Sequence, residues 1–368
     1  MSRDAQMLLS VVALLVGVGA VMAFSVAGPP KGLVHPAFSR HLLYIALGIL
    51  CAYLLFRVNP SFLVSNACVI LLGICFLCFL VFVPGVGVRI RGAARWLAIG
   101  SLHLQPSELA KIGVVLYAAR LANDPPQTLR RLSKALLPLA LLCILVFAEP
   151  DLGTAAFLAF CGGMLVWFAG AKLRQLALLA SLAVAIAAPV AVLKFEHVRA
   201  RLGVFADPES DPLGRGYQLR QSLIAIGSGG VVGKGLGASE QKLFFLPDRN
   251  TDFVFAILAE ETGFLGAVAV MALFCAYLVL GLRIAMRVER SDLRILAVGS
   301  ALVIPLQAAI NIGVVTGCLP TKGIPLPFLS FGGSSLVVSL LFVGLLARLD
   351  MEGARCGLSL REGEVVGT

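Results

Sequence analysis

Charge is scarce in this 368-residue sequence: Asp, Glu, Lys and Arg make up 14% of it against 59% hydrophobic residues, and mean hydropathy is +0.95. A soluble domain carries about a quarter charged residues, and a disordered chain needs charge to stay solvated, so both classes are excluded. Histidine is rarer still, with four in the chain. Cysteine occurs nine times, but Cys51, Cys68, Cys75, Cys78, Cys143, Cys161 and Cys275 lie inside apolar runs, where the thiol behaves as a small hydrophobe and no disulfide framework is implied. Cys75 and Cys78 have the gap of a zinc pair without a second pair or a His-x-x-His partner, so no metal site is expected. A nucleotide loop is lacking too. The glycine tract Gly227–Gly237 fails the phosphate-loop spacing at Ser228 and at Gly235, and reads as a tight backbone passage beside a lipid headgroup.

What the chain has in abundance is apolar length. A bilayer core about 30 Å thick needs roughly 20 helical residues, and ten apolar runs along the chain each read as one span. They are Met7–Ala27, Leu42–Phe56, Phe62–Val83, Ser107–Leu121, Ala135–Ala148, Leu152–Ala169, Leu173–Leu193, Thr251–Leu282, Ile295–Gly317 and Ser330–Leu349. Between the fifth and sixth, Glu149-Pro150-Asp151 breaks what would be an overlong helix: proline lacks an N–H, and the carboxylates avoid hydrocarbon. The fold class is therefore an all-α integral membrane protein of about ten transmembrane helices, one polytopic domain over residues 1–368, with a long loop over residues 194–250 between helices 7 and 8.

Lys and Arg counts set the orientation. With the N-terminus inside, inner segments hold fifteen and short outer loops six, so both termini are cytoplasmic and the long loop is extracytoplasmic. The same distribution accounts for the net charge of +10 through membrane lipid headgroups, and no nucleic acid partner is expected. Met7–Ala27 lacks a cleavage signature and reads as a retained first helix.

The polar residues concentrate in four outer segments: 83–111, 149–153, 195–261 and 318–335. Glu108 and Lys111, three residues apart, share a helix face and can neutralise each other at membrane depth, either as a structural ion pair or lining a polar cavity. Trp96 follows Arg95 and could be an interfacial anchor. Asp252 heads a long apolar helix as a cap or as a catalytic carboxylate, with Glu260 and Glu261 two turns deeper. Leu319–Ser335 cannot be helical through its prolines and glycines and must be a loop buried in protein.

Together, Gly92-Ala93-Ala94-Arg95-Trp96, Gln105–Lys111, Glu149–Gly153, Leu246–Glu261 and Lys322–Ser334 resemble, in order over nearly the whole chain, the SEDS family. The resemblance implies a ten-helix glycosyltransferase that polymerises lipid II and releases undecaprenyl pyrophosphate. Val83–Gly87, Gln241–Phe244 and Leu319–Gly323 look more like its cell-division branch, the short tails more like its elongation branch, and Asn250 stands where the family carries His. It further implies Asp252 as the base that accepts the attacking hydroxyl's proton, with Arg95, Trp96, Gln105, Ser107, Glu108, Lys111, Asp151, Lys242, Lys322, Ser330 and Ser334 holding lipid II and the undecaprenyl-linked glycan. Cations among these would stabilise the departing pyrophosphate. No cofactor is implied beyond a loosely bound divalent cation. The implied partners are a class B penicillin-binding protein transpeptidase and other divisome proteins, at the division septum of the bacterial cytoplasmic membrane.

Two other classes share the bulk features. A lipid II flippase or other transporter would also have ten spans with intramembrane acids, but no inverted repeat is visible and the polar motifs gather on one face instead of the midplane. A scaffold that only recruits a division partner is the third.

Overall fold

A computed structural model describes residues 1–27, 35–90, 93–100, 102–195, 198–199, 203, 215–243 and 251–366. Asp248, Asn250 and the segment 207–212 lie outside the described residues.

The helices are α1 (Arg3–Ala27), α2 (Pro36–Arg57), α3 (Pro60–Ser65), α4 (Ala67–Leu80), α5 (Pro106–Leu121), α6 (Leu129–Ala148), α7 (Leu152–Phe168), α8 (Leu173–Lys194), α9 (Arg215–Ser228), α10 (Val254–Met286), α11 (Ser291–Val315) and α12 (Gly333–Val366). Their starts are written in the sequence. Proline takes the first turn of α2, α3 and α5, where its missing N–H has no intrahelical partner to lose. His35, Asn59, Thr128 and Asp151 accept hydrogen bonds from backbone N–H groups of the first turns of α2, α3, α6 and α7.

The ten expected spans are present, with two internal breaks. The third is α3 and α4, divided at Asn66, whose side chain donates to Phe62 O at 2.8 Å. The eighth, α10, is interrupted at Gly263 (φ 69°, ψ −168°). To the helical class the structure adds one small antiparallel sheet in the first outer segment, β1 (Gly87–Ile90), β2 (Ala93–Ile99) and β3 (Leu102–Leu104), in the order β1-β2-β3. Two residues separate β1 from β2, two separate β2 from β3 and one separates β3 from α5, so the segment forms a tight antiparallel meander with no room for a helix.

Around the buried α5, whose Ala110 and Val114–Ala119 have almost no exposed surface, pack α4, α7 and α11. α1, α9 and α12 pack against α10 and α11, and α2 packs on α12 and α1. α8 is the least embedded, burying only Leu176 and Ala191, and its apolar surface is left to lipid.

Ion pairs mark the cytoplasmic end. Asp4 of α1 meets Arg287 and Arg283 of α10, and Asp292 of α11 meets Arg290. Ser25 lies roughly 31 Å of helix above Asp4, about the hydrocarbon thickness, and so marks the outer surface. Gly19, about 9 Å lower, packs directly against the Phe328 carbonyl, which places the Leu319–Gly332 loop inside the bilayer. Its Phe328 backbone (φ 65°) is held in the left-handed region by burial of the ring over Tyr277, centroids 6.3 Å apart. The loop is re-entrant and protein-covered over Leu319–Gly332, but Gly333, Ser334 and Ser335, expected to be non-helical, open α12.

Candidate active site

Four chain segments meet beneath the outer surface. α5 begins the site. Its first turn buries Ser107 and Glu108 (0% and 3% exposed), and Lys111 one turn on donates to Glu108 Oε2 at 2.7 Å and to Gln307 Oε1 of α11 at 2.6 Å. Lys111 stands about 15 Å of helix from Leu121, near mid-membrane, so the expected neutralisation of the two charges is realised where an unpaired charge would be most costly. Phe157 of α7 flanks the ammonium, its ring centroid 5.7 Å away.

α11 ties this pair to the re-entrant loop. Gln307 Nε2 donates to Pro325 O at 2.7 Å, and Asn311, one turn nearer the outside, donates to Ile324 O at 2.7 Å and to Asp252 O at 2.8 Å. Gln307 and Asn311 were absent from the expected site. Their i, i+4 spacing in an apolar helix was the available signal, since two amides on one face of a span need buried partners.

Asp252 itself precedes the capping residue of α10, Phe253, so it lies one residue outside the cap position. The backbone around it is fixed from both sides: Ser330 Oγ donates to Thr251 O, and Asn311 holds Asp252 O. The side chain reaches Gly323, where a Cβ would come within 3.2 Å of Asp252 Oδ2. Lys322, next in sequence, lays its stem across Gly153, whose added Cβ would lie 3.5 Å from Lys322 Cδ. The 149–153 hairpin, Lys322 and Asp252 thus come together, with the close approach falling at Gly323.

The hairpin carries the remaining polar group. Asp151 Oδ1 caps Thr154 N at 3.2 Å, and its Oδ2 lies 3.5 Å from Gln105 Nε2 and 3.9 Å from Arg95 Nη1. Arg95, on β2, also donates to Glu149 O at 3.2 Å and Pro150 O at 2.6 Å, so its guanidinium is spent on the hairpin. Gln105 Nε2 reaches Ser107 Oγ, and Gln105 N donates to Ser334 Oγ at 3.0 Å. Trp96 follows Arg95 on β2 opposite Val88, and the register shift of the β1–β2 pair falls at Arg95. Behind Ser334 an apolar cavity of about 150 Å³ opens between Tyr44, Leu47, His103, Leu104, Leu109, Val337 and Val338.

Lys242 lies elsewhere. Its Nζ donates to Glu261 Oε1 at 2.9 Å and to Ser25 Oγ at 3.0 Å, near the outer end of α1. Glu260 accepts from Lys234 Nζ, Ser228 Oγ, Ser239 Oγ and the backbone N–H groups of Glu240 and Gln241. These paired acids form a hydrogen-bonded packing site. The glycine tract does make a tight passage, packed against protein backbone: Lys234 N and Gly235 N donate to Glu260 O and Glu261 O, while Phe264 N and Leu265 N donate to Gly230 O and Val231 O. The four bonds supply partners that the break at Gly263 removes from α10.

A ten-span membrane protein whose loops fold back into the bilayer around a carboxylate, a lysine and a buried polar network is an enzyme-like class. The chain matches the model of the FtsW, RodA and SpoVE family of cell cycle proteins over residues 5–355, and it belongs to that family. It is 41% identical over 375 residues to the probable peptidoglycan glycosyltransferase FtsW of Thioalkalivibrio sulfidiphilus, covering 99% of this chain and 93% of that protein. It is also 41% identical over 356 residues to the FtsW so named from Nitrosococcus halophilus, covering 94% and 92%. Among solved structures, a chain of a peptidoglycan synthase complex that coordinates polymerisation and crosslinking superposes with a TM-score of 0.79 at 33% identity, covering 95% of this chain and 98% of that one. The rod shape determining protein RodA of Thermus thermophilus superposes with a TM-score of 0.69 at 30% identity, covering 94% and 96%.

Proposed function

We propose that this protein is a peptidoglycan glycosyltransferase that polymerises lipid II on the outer face of the bacterial cytoplasmic membrane, with Asp252 as general base. The observation that carries the reading is the convergence of Asp252, Lys322 and the Asp151 hairpin, from three distant segments, just beneath that surface. In the proposed step the 4-hydroxyl of the lipid II GlcNAc attacks the anomeric carbon of the MurNAc at the lipid-linked end of the growing strand. A C–O bond forms with inversion, the bond to pyrophosphate breaks, the hydroxyl proton passes to Asp252, and undecaprenyl pyrophosphate leaves. A base so placed contributes a factor of about 10² to 10⁴. Lys322, bordering Asp252 across Gly323, is assigned to the departing pyrophosphate. Arg95, Lys111, Gln105, Ser107, Glu108, Asp151, Ser330 and Ser334 hold the walls of the site, Trp96 bounds it at the sheet, and Lys242 fixes the loop above it.

No resident cofactor enters this reaction. A divalent cation bound loosely with pyrophosphate would be revealed by loss of rate on adding EDTA. The relatives named FtsW favour septal synthesis beside a class B transpeptidase, and the match to RodA favours elongation as the second reading; a fluorescent fusion at midcell or along the side wall separates them. The activity is tested with purified protein, lipid II and the partner transpeptidase. Glycan strands support the proposal, leaflet transfer without strands would indicate a flippase, and neither would indicate a scaffold.

A further inference from the structure

One buried acid beside the site has no part in the step above. Glu149 stands in the turn between α6 and α7 with 0% of its surface exposed, and its carboxyl oxygens meet no donor among the described residues stronger than the Cys78 thiol. A carboxylate in that position would be an uncompensated charge in a low-dielectric site, which proteins avoid by keeping the proton. The neighbouring charges relieve it only in part. Asp151, two residues on, repels a second negative charge, and Arg95 is committed to the carbonyls of Glu149 and Pro150 and to Asp151. From α4 the neighbour is the Cys78 thiol, itself buried.

We propose that Glu149 is a positioning residue that works as a neutral, proton-bearing acid: protonated, it lets Arg95 clamp the 149–153 hairpin beneath Lys322, and its ionisation draws Arg95 from that clamp and disables the site. The connection is continuous, because the hairpin that Arg95 holds ends in Gly153, on which the Lys322 stem lies, and Gly323 beside it faces Asp252. Burial, then the charge of Asp151, pushes the Glu149 carboxyl up to about 8, while Arg95 and Cys78 pull it back. The proton is therefore held at neutral pH and lost just above it.

The inference rests on the polymerase reading for its effect on rate, and has a second readout that does not. In lipid II polymerisation by the full chain, the wild-type rate should fall about tenfold per pH unit above pH ~8, and Glu149→Gln, which keeps the shape without the proton, should show no such fall up to pH ~9. Thermal unfolding in detergent supplies the independent measurement. An acid whose folded pKa is raised contributes fully below its unfolded value and loses that contribution as pH rises toward its folded value. The midpoint of Glu149→Gln should thus gain on the wild type progressively between pH ~4.5 and ~8. Equal alkaline limbs, or a constant difference in midpoint across that range, would overturn the proposal. Should Glu149→Gln fail to fold, infrared titration of the wild type decides: a protonated carboxyl band vanishing near pH ~8 is expected, and its absence at pH ~7 overturns the assignment. Failure of wild-type polymerisation together with the expected midpoint titration would count against the enzyme reading alone.

Discussion

Replacing Gly263 by alanine tests whether the broken helix and the glycine tract form one unit. Gly263 sits at φ 69°, ψ −168°, a region occupied essentially by glycine alone, and an added Cβ would collide with the backbone of Gly233 and Val231. Forcing alanine into that conformation costs about 1–3 kcal/mol. Moving the tract away to make room breaks the four backbone bonds between residues 230–235 and 260–265. At about 1 kcal/mol net each, they bring the loss to roughly 5–7 kcal/mol, a large part of the 5–15 kcal/mol that holds a typical fold together. The assay is the thermal unfolding midpoint in detergent, with Gly73→Ala as control. Gly73 is mid-helix in α4 with nothing within 4 Å of its added Cβ, so there alanine should stabilise by about 0.5–1 kcal/mol. Opposite signs for the two variants are expected. A Gly263→Ala midpoint equal to or above the wild type would refute the argument.

Other perturbations follow from the same network. Asn311→Leu leaves the carbonyls of Asp252 and Ile324 without their amide donor, and should cost about 2–4 kcal/mol in unfolding and more than tenfold in polymerisation rate, measured on the same preparation. Lys111→Met strands Glu108 as a buried charge and should destabilise by about 3–5 kcal/mol, whereas Glu108→Gln combined with Lys111→Met should recover most of that stability. Recovery in thermal unfolding without recovery of rate would assign the pair to the site and not only to the fold. Lys322→Met should lower kcat more than KM if its charge meets the departing pyrophosphate, and steady-state kinetics with lipid II would read the split.

Much of this arrangement was legible in the chain. Apolar length set the spans and Glu149-Pro150-Asp151 set a hairpin, because each acts through local chemistry, whereas the starts at Pro36 and Pro60 lie ahead of the apolar runs expected from Leu42 and Phe62. The Glu108–Lys111 pair was legible for the same reason, as three-residue spacing places both on one face. What escaped was non-local. Gln307 and Asn311 looked like isolated polar residues in a span until Pro325, Ile324 and Asp252 were seen to need donors. The role of the glycine tract was hidden because its partner, the break in α10, is an interruption that the hydropathy of Thr251–Leu282 conceals. Lys242 and Arg95, which looked available for an anion, turned out to be engaged by Glu261 and by the hairpin carbonyls, and local sequence carries no sign of either partner.

The central claim is that Asp252 takes the proton in strand growth. Its most direct test is the rate of lipid II polymerisation by purified Asp252→Asn, which keeps the side-chain shape and removes the base, compared with wild type at equal thermal stability. The account predicts a rate about 10²-fold lower or less. A folded Asp252→Asn protein that makes glycan strands within about twofold of the wild-type rate would contradict it.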